Sequence, residues 1–111
     1  MSAAPRYEYA GDPALEASVE AALRHVADPE MGLGIVELGL VYGVEAHPGS
    51  ARVRLTMTSP ACPVVEVIVD DIRHELAHAL GKDARIEVEV VWDPPWSPER
   101  MSERARSTMG W

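Results

Sequence analysis

The stretch RVRLTMTSPACPVVEVIVDDIRHELAHALGKDARIEVEVVW, residues 52–92, decides the fold. Residues 52–58 alternate between apolar and polar side chains, which predicts a half-buried strand. Residues 63–80 carry apolar side chains at helical spacing and stop before a glycine, and residues 85–92 alternate again. A strand–helix–strand connection of this length favours two parallel strands in one sheet.

The sequence before this stretch predicts a helix and a further strand. Asp12 followed by Pro13 is a helix-start signal, and apolar side chains at helical spacing extend the helix to residue 26. Residues 40–46 are predicted as a strand. A turn of composition His-Pro-Gly-Ser then leads into the strand at 52–58, so the two strands should form a hairpin.

The sequence after this stretch predicts a last helix, which Ser97 caps, Pro98 begins and Gly110 ends. The predicted fold is therefore α+β, with a small mixed three-stranded sheet and helices packed mainly on one face. The elements follow the order helix–strand–strand–helix–strand–helix. We expect a flexible tail over residues 1–11 and a single domain over residues 12–111.

Composition limits the classes of function. The chain has 111 residues and a formal net charge of −8, and such an acidic balance repels nucleic acid. No apolar stretch is long enough to span a bilayer, so we expect no membrane association. There is one cysteine, which excludes an intramolecular disulfide and favours the reducing cytoplasm.

That cysteine, Cys62, lies where the central helix is predicted to begin. The first-turn amides of a helix lack partners within the helix and, with the helix dipole, favour a thiolate. Thr58 and Ser59 lie just upstream and can donate hydrogen bonds to the sulfur or to a bound group. A thiolate in such a place is a nucleophile or a soft-metal ligand. The alternative is that Cys62 is a small buried apolar residue.

Two carboxylates, Asp28 and Glu30, flank Pro29 where the first helix is predicted to end. They can serve as metal ligands or as an acid–base pair. The commoner alternative is a local turn in which Asp28 accepts hydrogen bonds from nearby amides. Residues 28–45 hold four acidic side chains and no lysine or arginine, which indicates an acidic surface or pocket.

The residues His74, Glu75 and His78 match the H-E-x-x-H pattern of helical zinc proteases. A spacing of four places both imidazoles on one helix face, and a glutamate between them can act as general base. A catalytic zinc site needs a third protein ligand, and no histidine follows His78. A zinc hydrolase is therefore an alternative hypothesis, and a solvated helix face is the simpler interpretation.

The segment WDPPWSP, residues 92–98, forms a stiff aromatic corner. We expect Trp92 to be a structural clasp that pins the last helix to the sheet. Trp96 is either part of that clasp or an exposed anchor for a partner. A third hypothesis is thus a non-catalytic adaptor that docks through Trp96 and the acidic face.

Three segments together resemble the SufT/PaaD-like family of metal–sulfur cluster assembly factors. They are DPEMGLGIVELGLVYGV, VRLTMTSPACPVVEVI and VEVVWDPPWSPERMSERAR. The resemblance covers about residues 14–111. It implies that this part of the chain is one iron–sulfur cluster assembly-like domain. Because the sequence lacks the cysteine-rich tail of the PaaD branch, it resembles the shorter SufT-like branch. The H-E-x-x-H pattern is not a feature of the family.

The resemblance implies an accessory factor in iron–sulfur protein maturation that is not an enzyme. It maps the family's reactive cysteine onto Cys62, its acidic turn onto Asp28 and Glu30, and its hydroxyl residues onto Thr58 and Ser59. The implied partners are the iron–sulfur assembly machinery and client apoproteins.

A single thiolate leaves the handling of the cluster open, because a cluster usually takes about four thiolate or imidazole ligands. The chain offers one thiolate, that of Cys62, so we expect no tightly bound cofactor. A homodimer can bridge a cluster through both copies of Cys62, or Cys62 can bind iron or a cluster transiently as its metal ligand. The third alternative is a protein that docks clients and never holds a cluster.

Overall fold

The structure, a computed structural model, describes residues 7–58 and 64–110. Within these ranges a mixed four-stranded sheet packs against helices, and a small two-stranded sheet lies beside it. The elements in chain order are β1 (Glu8–Gly11), a 3-10 helix (Pro13–Leu15), α1 (Glu16–Arg24), β2 (Ala27–Asp28), β3 (Leu33–Gly34), β4 (Val41–His47), β5 (Ser50–Leu55), α2 (Val65–Leu80), β6 (Arg85–Val90), a second 3-10 helix (Pro98–Arg100) and α3 (Glu103–Met109).

The main sheet has the strand order β1-β4-β5-β6. Strands β4 and β5 form the predicted antiparallel hairpin, and Gly49 in their tight turn has φ 84°, as the turn requires. Strands β5 and β6 are parallel with α2 as their crossover, which confirms the prediction from residues 52–92. The α+β class is therefore confirmed.

The prediction of three strands is wrong, because β1 adds a fourth strand to the sheet. Residues Glu8–Gly11 pair in parallel with Gly43–Ala46 of β4. The backbone amide of Asp12 continues this attachment by donating to the carbonyl oxygen of Ala46 at 2.8 Å. The flexible-tail prediction for residues 1–11 is thus wrong for Glu8–Gly11, while residues 1–6 lie outside the described part of the chain.

The two faces of the main sheet differ in character. Side chains of α1 and α2 join the inward side chains of β4 and β5 in one aliphatic core, with Leu23, Val53 and Ile72 fully buried. The opposite face carries exposed charges in register, as in the row Glu45, Arg52 and Glu87. The helices α1 and α2 therefore cover one face and leave the other to solvent, as the sequence predicts.

The C-terminal helix begins later than predicted. Ser97 makes no capping hydrogen bond through its side chain, and Pro98 starts only a 3-10 helix. The true cap is Ser102, whose hydroxyl oxygen accepts from the amide of Ala105 at 3.0 Å. Gly110 ends the helix in the left-handed conformation, as predicted.

The aromatic corner corrects our expectation for Trp92 and decides between the two alternatives for Trp96. Trp96 is the clasp, because its indole Nε1 donates to the carbonyl oxygen of Leu38 at 2.7 Å and its ring packs against the core. Trp92 is 47% exposed. None of the helices in the described ranges is long and apolar enough to cross a membrane.

Candidate functional site

The acidic turn is a closed local structure built around Asp28. Its side chain is 1% exposed, and Oδ1 accepts hydrogen bonds from the amides of Glu30 at 2.9 Å and Met31 at 3.3 Å. The carbonyl oxygen of Asp28 accepts from the amide of Gly32 at 2.8 Å. The local-turn interpretation is confirmed for Asp28, whereas the side chain of Glu30 faces solvent. Asp28 therefore fixes the turn from which Glu30 projects.

Three successive backbone hydrogen bonds, called here the backbone relay, connect the residues that flank this turn to the end of β5. The amide of Ile35 donates to the carbonyl of Val26 at 3.0 Å, and the amide of Leu40 donates to the carbonyl of Ile35 at 3.0 Å. The amide of Thr56 then donates to the carbonyl of Leu40 at 2.8 Å. Two segments distant in sequence are thus held at one end of the fold, and the second leads directly toward Cys62.

Thr56 is a buried hydroxyl that the sequence did not single out. Strand alternation predicts that it faces outward, yet its side chain is 0% exposed, because the β4–β5 ladder ends at Leu55 and the alternation ends with it. Its Oγ1 has no hydrogen-bond partner among the described residues. Buried hydroxyls are usually paired, so this one, two residues before Thr58, is an exception among the described residues.

The predicted reactive residue, Cys62, lies in a segment between two described positions, Thr58 and Val64. Cys62 and Ser59 belong to residues 59–63, which are outside the described part of the chain, and Thr58, half-buried, is the last residue before them. On the other side, Val64 is the N-cap of α2 and has no side chain that can accept from the first-turn amides. These amides have no partner within the helix, as the thiolate prediction requires. The contacts of Cys62 remain a prediction.

The H-E-x-x-H residues lie on the solvent face of α2. His74 and His78 are exposed, and their rings meet edge to face with centroids 4.7 Å apart. Glu75 faces His25 of the neighbouring helix end, with Oε1 3.9 Å from Nδ1. Among residues 7–58 and 64–110, no group of three or more metal-ligating side chains is present. The pair has no third zinc ligand in this part of the chain.

Glu37 contacts both α1 and the N-cap residue of α3, and these contacts favour its charged form. Its carboxylate accepts hydrogen bonds from the hydroxyl of Ser102 and from Nη1 of Arg24, the latter at 3.0 Å. The hydrogen bond from Ser102, followed by that from Arg24, lowers the pKa of Glu37 against the opposing effect of burial. The charged carboxylate therefore ties α1 to the N-terminus of α3.

The fold and the arrangement of its motifs define a small assembly-factor domain of the SufT/PaaD type. The chain belongs to the family described as iron-sulfur cluster assembly protein, whose model matches residues 16–90. It is 41% identical to the Fe-S protein maturation auxiliary factor YitW of Bacillus subtilis, over 87% of this chain and 95% of that protein. It is also 41% identical to the Fe-S protein maturation auxiliary factor SufT of Staphylococcus aureus, over 77% of this chain and 97% of that protein.

A solved structure confirms the fold. The crystal structure of a domain of unknown function from Bacillus anthracis superposes with a TM-score of 0.81 at 46% identity, covering 87% of this chain and 92% of that one.

Proposed function

We propose that this protein is an accessory factor in the maturation of iron–sulfur proteins and that it acts through the thiolate of Cys62. The observation that carries the proposal is the likeness of nearly the whole chain to the two maturation auxiliary factors, which this chain covers almost end to end. Its role is non-catalytic: it serves the assembly machinery and client apoproteins. A free thiolate persists in a reducing compartment, which places this role in the cytoplasm.

The residues around Cys62 have distinct parts in this proposal. The first-turn amides of α2, which have no partner within the helix, favour the thiolate, and the hydroxyls of Thr58 and Ser59 donate hydrogen bonds to the sulfur or its cargo. Asp28 fixes the acidic turn, and Glu30 projects from it. The backbone relay through Leu40 supports this grouping, because it ties the turn to the strand that leads to the cysteine.

The proposed grip on the cluster is transient. A cluster held conventionally takes about four thiolate or imidazole ligands, and this chain has a single cysteine. Cys62 therefore contributes one ligand to iron or to a cluster. The partner supplies the others, or a second copy of this chain supplies its own Cys62 and outside ligands complete the set. Cys62 binds iron as the thiolate, so its proton passes to solvent before or during binding, and client thiolates then displace Cys62.

Anaerobic reconstitution with iron and sulfide tests this proposal. We expect wild-type protein to retain substoichiometric iron that desalting removes slowly, and Cys62→Ser to retain none. His78→Ala, which changes an exposed residue on α2, is the matched control and should behave as wild type. Equal, negligible iron in wild type and Cys62→Ser would contradict binding through Cys62. Light scattering during reconstitution shows whether bound iron coincides with a dimer.

A further inference from the structure

A cleft of about 380 Å³ opens where β4 and β5 meet the segment after β6. Its walls include Tyr42 from β4, Arg54 from β5 and Arg100 from the second 3-10 helix. The hydroxyl of Tyr42 donates to the carbonyl oxygen of Pro94 at 2.7 Å, so β4 meets the segment WDPPWSP here. The proposed handling of a cluster uses neither Tyr42 nor Pro94.

Arg100 lines the cleft with few hydrogen bonds of its own to the described residues. Its guanidinium carbon lies 3.9 Å from the centroid of the Tyr42 ring, while its buried Nε has no hydrogen-bond partner among the described residues. A buried donor without an acceptor is costly, so within the described part of the chain the guanidinium of Arg100 lacks the hydrogen bonds that usually fix a buried arginine. The backbone is fixed, because the carbonyl of Arg100 packs directly on Gly39 where a Cβ would overlap it.

Arg54 is positioned in a similar way. Its guanidinium lies over Gly43, where a Cβ would overlap Nη2 and Nε. Two glycines thus make room for the two arginines that line the cleft. Arg54 has an ion pair with Glu8, whose Oε2 is 3.5 Å from Nη2 and whose side chain is 89% exposed.

The ion pair with Glu8 shows which chemistry the cleft accepts. A carboxylate already rests against Arg54, but at a long distance and from the solvent rim, where such pairs contribute little. Asp93 also lines the cleft at an exposed position. Because both acids are exposed to solvent, a ligand carboxylate can displace Glu8 from Arg54 and face the guanidinium of Arg100, which lines the same cleft.

We propose that this cleft binds a carboxylate group, which Arg54 and Arg100 hold by charge-assisted hydrogen bonds. The carboxylate belongs either to a small free acid or to an acidic side chain of a partner protein. The chemistry is the same in both cases, and the site is separate from Cys62.

Calorimetric titration of the full chain tests the site with two probes. One probe is citrate, and the other is a triglutamate peptide with acetylated and amidated ends. The matched control for Arg54→Gln is Arg52→Gln, because Arg52 lies on the same strand face but pairs with Glu87 at 3.1 Å outside the cleft. We expect Arg54→Gln and Arg100→Gln to weaken binding about tenfold, equivalent to about 1.4 kcal/mol. Arg52→Gln should leave it unchanged.

Glu8→Gln supplies the converse test, because it removes the competing carboxylate and should tighten binding about threefold. Tighter binding of citrate identifies a free acid, and tighter binding of the peptide identifies an acidic segment of a partner. Either result supports the site. The proposal fails if neither probe binds, if Arg52→Gln weakens binding as much as Arg54→Gln, or if Glu8→Gln has no effect. Arg54 is exposed, so its variant gives a result even if Arg100→Gln does not fold. Cys62→Ser should bind both probes normally.

Discussion

The amide of Thr56 donates a hydrogen bond to the carbonyl oxygen of Leu40 at 2.8 Å. Leu40 belongs to the segment after the acidic turn, and Thr56 belongs to the segment that leads to Cys62. This bond continues a relay that begins at Val26, and it holds both segments on one rigid base. The proposed release of cargo from this loop would benefit from such a base, since the ligand geometry then depends on the loop alone.

Thr56→Val tests whether the buried hydroxyl serves stability. The hydroxyl oxygen is buried and unpaired among the described residues, so its replacement by a methyl group should leave the free energy of unfolding unchanged or raise it by about 1 kcal/mol. Urea denaturation measures this. A loss of stability would show that the hydroxyl has a partner within residues 1–6, 59–63 or 111.

Asp28→Asn and Asp28→Ala separate the shape of the acidic turn from its charge. Asparagine keeps the oxygen that accepts from the amides of Glu30 and Met31, so we expect a loss of less than about 1 kcal/mol. Alanine leaves these partly buried amides without their acceptor and should cost about 1–3 kcal/mol. Chemical denaturation compares the two. Equal losses would show that the turn depends on the charge rather than on the acceptor.

The two tryptophans of the corner should differ in their effect on stability. Trp96→Ala removes the hydrogen bond to Leu38 and the packing against the core, and should cost about 2–3 kcal/mol. Trp92→Ala changes a side chain that is 47% exposed and should cost less than about 1 kcal/mol. Equal losses in thermal unfolding would contradict the assignment of Trp96 as the clasp.

Glu37→Gln should remove an acid-sensitive part of the stability. The folded-state pKa of Glu37 lies below its ordinary value of 4.5, so the charged carboxylate stabilises the protein fully above pH 4.5. That contribution is lost as the pH falls through the lower folded-state pKa. The free energy of unfolding of wild type should therefore exceed that of the variant at neutral pH, and this difference should narrow as the pH falls. Glu99→Gln, at an exposed position, is the control. A gap that widened as the pH fell would contradict this sign.

Features that depend on near neighbours in the sequence could be predicted, and features that depend on distant ones could not. The donors to Asp28 Oδ1 are amides two and three residues away, so the turn follows from composition alone. Strand β1 has no clear alternation and exists because β4 offers it an edge. Thr56 followed the strand pattern in the sequence, but the ladder ends one residue before it.

The cleft depends on contacts between residues that are still farther apart in the sequence. Arg54 and Arg100 are far apart in the sequence, and only the folded chain places both beside Tyr42. The signal available in the sequence was indirect: Gly39 and Gly43 lie close together in a segment that is otherwise apolar and strand-like. Glycine at such positions marks a close approach of another group, but it does not identify that group.

The most direct test of the central claim is the activation of an iron–sulfur client enzyme by a purified assembly system in the presence of this protein. Wild-type protein should raise the rate or yield of active client, and Cys62→Ser, shown by thermal unfolding to be folded, should lose that effect. His78→Ala should retain it. Full activity of folded Cys62→Ser would contradict the claim that the cysteine carries the function.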